Sequence, residues 1–168
     1  MATNPETLKQ PVVKFEFNGE TLEAFDGETI FQCAKRHKTV LPHLCYKAGY
    51  RSVGNCRACM VEIEGERVLA PSCCRVPEDG MKVRSDSDRV RHSQKIVLEL
   101  LKSDMPDKGI SPYSNKSKLD VWWKKYEAGT PRFAEREQTA ADLSNPAIAV
   151  NMDACIQSIF NALEAMGI

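Results

Sequence analysis

Apolar and polar positions alternate early in the chain. In Val12-Val13-Lys14-Phe15-Glu16-Phe17, residues Val13, Phe15 and Phe17 share one face, which predicts a half-buried strand. Asn18-Gly19 is the strongest two-residue hairpin signal, and Thr21 to Phe25 supplies the returning strand. Asp26-Gly27 turns again. Thr29 then opens a short helix with Ile30, Cys33 and Ala34 at i, i+3 and i+4, Lys35, Arg36 and Lys38 outward, and Pro42 as a stop. From His43 to Cys59 no period survives, which predicts a loop. Met60-Val61-Glu62-Ile63-Glu64 alternates again, Gly65 turns, Arg67-Val68-Leu69-Ala70 is the expected partner strand before Pro71, and Met81-Lys82-Val83-Arg84 supplies a last strand. This order predicts a small mixed sheet with one helix packed across it, an α+β fold of the β-grasp type over residues 11–86.

Beyond residue 86 the period changes from strand to helix. Ser87 can cap a helix reaching about Ser103, with Val90, Val97 and Leu101 along one stripe and Ile96, Leu98 and Leu100 broadening it. Residues 104–118 are rich in turn formers, Leu119 to Glu127 is expected as a short helix carrying Trp122, Trp123 and Tyr126, and residues 128–152 read as irregular. Ile156, Ile159, Phe160, Leu163 and Met166 fit one face of a terminal helix. Residues 87–168 are therefore expected to form a helical C-terminal extension.

Composition narrows the function classes. The 168 residues are 42% hydrophobic, which excludes a long disordered chain. Lys+Arg and Asp+Glu both number 23, so nothing global favours nucleic acid. No apolar run is long enough for a membrane span, and the opening residues lack a secretory pattern, so a cytoplasmic location is expected. The neutral total conceals blocks: residues 33–95 carry 13 basic and 7 acidic side chains, and six of the seven cysteines fall among them. Seven cysteines in a reducing compartment favour metal or redox chemistry over disulfides.

Cys45, Cys56, Cys59 and Cys73 are spaced C-x10-C-x2-C-x13-C. The close pair can put two thiolates on one site from a single loop, and four thiolates complete one [2Fe–2S] cluster. Gly54 permits close backbone approach, and small neighbours leave amide N–H groups free for sulfur. Two ferric ions, two sulfides and four thiolates total −2, so the basic surround, with Arg57 nearest, makes reduction less unfavourable. A four-cysteine zinc site, and with it a zinc-stabilised interaction module, is the alternative, but such sites usually pair two short knuckles where only one exists here. His43 reads as a loop residue, since a Rieske-like centre needs two histidines in its own spacing. Cys33 and Cys155 lie outside the loop and read as buried thiols. Adjacent residues of an extended chain point to opposite sides, so one of Cys73 and Cys74 should bind while the other packs, and spacing does not choose between them.

Leu44-Cys45-Tyr46, Gly54-Asn55-Cys56-Arg57-Ala58-Cys59-Met60-Val61-Glu62-Ile63-Glu64-Gly65 and Leu69-Ala70-Pro71-Ser72-Cys73 resemble the N-terminal [2Fe–2S] ferredoxin-like domain shared by NAD-dependent formate dehydrogenase alpha subunits, iron-only hydrogenases and the large peripheral-arm subunit of respiratory complex I. In that family the fourth ligand follows a serine, which selects Cys73 over Cys74. Leu98 to Asp104 and Asp142 to Ile156 resemble formate dehydrogenase most. The resemblance implies one [2Fe–2S] cluster, a flavin- and NAD-binding diaphorase-type partner subunit, and a catalytic subunit holding molybdenum or tungsten.

The departures limit that implication. Residues 104–154 hold neither histidine nor cysteine, so the family's next cluster has no ligands there, and Cys155 alone remains of the ferredoxin-like motif that would follow. The molybdenum-binding catalytic domain is absent from this sequence. The expected role is an electron-transfer component of a larger oxidoreductase, not a catalyst in itself, with residues 104–168 as a docking segment. A further alternative is an N-terminal fragment of a longer formate dehydrogenase alpha subunit.

Overall fold

The computed structural model describes residues 11–103, 117–134, 142–145 and 148–150. It divides into two compact units, Met1–Leu41 with Cys59–Arg91, and Pro42–Ala58 with His92–Ile168.

In the first unit, β1 (Pro11–Phe17) and β2 (Glu20–Phe25) form the expected antiparallel hairpin. Asn18 and Gly19 both take positive φ, 52° and 86°, as a turn matched to strand twist requires. Helix α1 (Ile30–Arg36) begins with a reciprocal capping box between Thr29 and Gln32 and buries Ile30, Phe31, Cys33 and Ala34. The strands β3 (Met60–Ile63), β4 (Ala70–Pro71) and β5 (Lys82–Arg84) complete a sheet of order β2-β1-β5-β3-β4. Here β5 runs parallel to β1 and antiparallel to β3. Phe15, Phe17, Leu22, Val61, Ile63 and Val83 fill the core with the buried face of α1. This is the α+β, β-grasp arrangement anticipated above.

One strand differs. The partner of β3 is Ala70–Pro71, not residues 67–70. The Glu66 amide donates to the Ile63 carbonyl in a turn, and the Arg67 carbonyl accepts from the Arg89 guanidinium, so the chain enters the ladder only at Ala70. Pro71 is tolerated because β4 is an edge strand.

Helix α2 (Asp88–Ser103) starts in the first unit, where Ser87 Oγ accepts from the Val90 amide at 3.3 Å. Val90, Gln94 and Leu98 are its fully buried line, whereas Val97 and Leu101 are half-buried and Leu100 is 48% exposed. The apolar stripe read from the sequence is thus rotated. Polar groups take interior places: Glu99 is buried because Arg132 binds both its carboxylate oxygens, at 2.8 and 3.2 Å.

In the second unit, α3 (Lys118–Lys125) is capped by Ser117 paired with Asp120, one residue earlier than expected. Leu98, Leu119, Trp122 and Ala128 make its core, with Leu44, Leu101, Trp123 and Tyr126 packed against them. Residues 128–152 are not wholly irregular, since β6 (Asp142–Asn145) pairs antiparallel with β7 (Ile148–Val150). In the sequence, Asn145-Pro146 is itself a turn signal. The terminal stripe from Ile156 to Met166 and Cys155 lie outside the described residues. Among the described residues no helix is long and apolar enough to cross a membrane.

Candidate metal centre

Cys59 and Cys73 belong to the first unit, where they flank the β3–β4 ladder. Met60 pairs with Pro71, so Cys59 immediately precedes one strand and Cys73 follows the other by two residues. The Ser72 amide and hydroxyl both donate to the Cys59 carbonyl, at 3.1 and 2.7 Å. Both thiols are buried. The turn is also clamped from the helix: two N-terminal amides of α1, at Phe31 and Ile30, donate to the Ser72 and Arg75 carbonyls at 3.0 and 2.8 Å. The first N–H groups of a helix have no partner within it, and here the ligand-bearing turn supplies one.

Cys45 and Cys56 belong to the second unit, on the aperiodic stretch expected to be a loop. The structure brings these two together, with a hydrogen bond between their thiols. The backbone amides of Ala58 and Cys45 also point at the Cys56 sulfur. The bond to Cys45 and burial push the Cys56 thiol far up from its ordinary range, and the two amides work against that shift. Two sulfurs in contact, with amides already aimed at one of them, are disfavoured as a pair of bare thiolates and favoured once a cation lies between them. The donor set therefore fits an iron of a [2Fe–2S] cluster, whose reactivity rests on sulfur ligation and amide hydrogen bonds to sulfur. Gly54 and Arg57 both take positive φ, 62° and 55°, so the bend between the cysteines uses left-handed backbone at two places.

The loop is held from its own unit. Trp122 Nε1 donates to the His43 carbonyl at 3.0 Å, with the two rings 5.7 Å apart. His43 is accordingly a support for the loop and a neighbour of Tyr46 at 6.1 Å, as a loop residue would be. The Trp122 contact was missed in the sequence, where a tryptophan on a helix face gives no sign of the carbonyl it will reach. Among the described residues, no group of three or more His, Cys, Asp or Glu side chains is placed to hold one metal ion. A [2Fe–2S] cluster asks for two thiolates on each of two irons.

Cys74 corrects the expectation that one of the adjacent pair packs inward on the opposite side. It is exposed, and its sulfur lies 3.7 Å from that of Cys73. Residues 72–74 are a turn and not extended chain, with the Cys74 amide bonded to the Pro71 carbonyl at 2.9 Å, so the alternation of strand side chains does not apply. Cys33 does sit in the core, as its helical spacing predicts.

Comparison with known proteins identifies the domain that carries these cysteines. Residues 10–88 match the family described as the 2Fe-2S iron-sulfur cluster binding domain. This stretch is a 2Fe–2S domain. Two curated relatives extend the likeness: an NADH-quinone oxidoreductase subunit of Rickettsia typhi is 31% identical over 148 residues, 87% of this chain. NADP-reducing hydrogenase subunit HndD of Solidesulfovibrio fructosivorans is 43% identical over 94 residues, 53% of this chain. The chain spans 22% and 16% of their respective lengths. Among solved structures, a chain of an NAD+-reducing [NiFe]-hydrogenase superposes with a TM-score of 0.67 at 24% identity, over 80% of this chain and 57% of its own. That likeness bears on the fold, and it agrees with the β-grasp sheet around the 2Fe–2S domain.

Proposed function

We propose that Cys45, Cys56, Cys59 and Cys73 hold the single [2Fe–2S] cluster, and that the chain relays single electrons between a flavin- and NAD-binding subunit and a catalytic subunit of a larger oxidoreductase. The observation that carries the ligand reading is the Cys45–Cys56 thiol pair with two amides turned to one sulfur, inside a chain whose residues 10–88 are a 2Fe–2S domain. When bound, the cluster supplies one-electron storage. The protein's own part is to fix thiolates and aim amides at sulfur, and the basic excess of residues 33–95 in the sequence favours the added electron.

The relatives described above carry NADH, NADP or NAD+ in their names, which supports the nicotinamide-linked partner. The finer reading, a formate dehydrogenase-like assembly with a molybdenum or tungsten subunit in the cytoplasm, rests on residues 98–104 and 142–156. Native copurification tests it, through the flavin and the metal found in the recovered complex.

Protein purified without oxygen should be brown and hold two irons and two sulfides, with one rhombic half-integer-spin resonance after reduction. Serine at Cys45, Cys56 or Cys59 should abolish or strongly perturb that signal, serine at Cys73 should perturb it, and serine at Cys33, Cys74 or Cys155 should leave it. Stoichiometric zinc without sulfide, or a second cluster signal, would overturn the reading.

A further inference from the structure

The turn after β4 carries two sulfurs side by side, 3.7 Å apart, one buried and one exposed. Two thiolates on one tetrahedral metal, at about 2.3 Å each, stand about 3.8 Å from one another. The Cys73–Cys74 pair therefore already has the separation of two sulfurs that can reach the same ion. A step between staggered χ1 wells moves a cysteine sulfur by about 3 Å, so the distance between the two sulfurs is within one side-chain rearrangement.

The backbone permits the exchange. The turn is held by main-chain groups and by Ser72: the Cys74 and Arg75 amides donate to the Pro71 carbonyl at 2.9 and 3.2 Å, and the Ser72 hydroxyl donates to Cys59. The α1 amides bind the Ser72 and Arg75 carbonyls. None of these bonds uses the side chain of Cys73. Cys74 is exposed, so turning its sulfur inward sacrifices no core contact. Cys33, the other additional thiol described in this unit, has no such freedom, being fully buried with its Sγ 3.5 Å from the Glu23 carbonyl.

We propose that Cys74 is a reserve ligand, a thiolate that replaces Cys73 in holding the cluster when the Cys73 sulfur is lost to substitution or modification. This rests on the four-cysteine reading above. One thiolate takes the place of another and the Cys74 proton passes to solvent, so the thiolate count and the total charge of the site are unchanged and no electron moves.

The test compares Cys73→Ala, Cys74→Ala and the double variant in the full chain, reconstituted without oxygen with ferrous iron and sulfide. Alanine offers no ligand atom. Cys74→Ala should match the unaltered protein in iron, sulfide and resonance. Cys73→Ala should keep two irons with a shifted resonance, and the double variant should lose them. Iodoacetamide supplies a second readout: Cys74 should alkylate readily in the unaltered holoprotein and be protected in Cys73→Ala. Should Cys73→Ala not fold, Cys73→Ser carries the same readout, since ligation by the serine oxygen would leave Cys74 reactive. Loss of iron from Cys73→Ala to the level of the double variant, or free alkylation of Cys74 in Cys73→Ser, would overturn the reserve role while leaving the four-cysteine reading standing. A cluster retained by the double variant would overturn that reading itself.

Discussion

Cys33 and Cys56 are both buried thiols shifted upwards, yet for different reasons. At Cys56 the leading cause is the hydrogen bond to the neighbouring Cys45 thiol, with burial adding to it. At Cys33 burial leads, the Glu28 carboxylate adds to it and Arg36 opposes it, and the result is about 11. The folded value lies above the ordinary 9.0, so the stability gained by keeping Cys33 neutral is fully present below pH 9 and is lost as pH rises towards 11. Denaturant midpoints should accordingly fall more steeply over that interval in the unaltered protein than in Cys33→Ala, which should cost on the order of 1 kcal/mol at neutral pH. Equal slopes would count against it. The place of Cys33 was legible because helical spacing puts it beside Ile30 and Ala34. The closeness of Cys74 to Cys73 was not, because alternation holds for extended chain and these residues turn, and the bond from Ser72 to Cys59 that makes them turn spans 13 positions.

Short elements depend on their ends. At seven residues α1 is far below the length at which a helix holds in water, and Thr29 with Gln32 closes its first turn. Thr29→Ala should lower stability by about 1 kcal/mol in chemical unfolding, and should also speed iron loss, since amides of the same turn hold the carbonyls on either side of Cys73 and Cys74. In the second unit, Trp122→Phe keeps most of the apolar area but deletes the indole donor to His43. A cost of about 1–3 kcal/mol is expected from the carbonyl left without it, read as an earlier thermal transition. The hairpin, α1 and the existence of α2 and α3 were written in local pattern. The rotated face of α2 was not, because Gln94 and Glu99 hold interior places and Glu99 depends on Arg132, distant in sequence. Likewise β4 is shortened by Arg89 reaching the Arg67 carbonyl, a contact with no local signature.

At the scale of the molecule, the division falls between Ala58 and Cys59, so residues 42–58 are an insertion into the chain of the first unit that groups with residues 92–168. We propose residues 87–168 as the extension that docks the chain in its assembly. Truncation after Val150 should leave iron content and resonance intact while weakening recovery of the flavin-bearing subunit; loss of the cluster, or unchanged assembly, would contradict that. The sheet order also governs how the protein is made. Strand β5 is the last of the five to be synthesised, yet it lies between β1 and β3. While the chain leaves the ribosome, every cysteine from Cys33 to Cys74 emerges before the strand that joins the two halves of the sheet. At about 5–20 residues per second that interval runs from on the order of a second for Cys74 to several seconds for Cys33, during which the thiols are exposed on an unfinished scaffold. A completed sheet to receive iron and sulfide therefore exists only once Arg84 has been added.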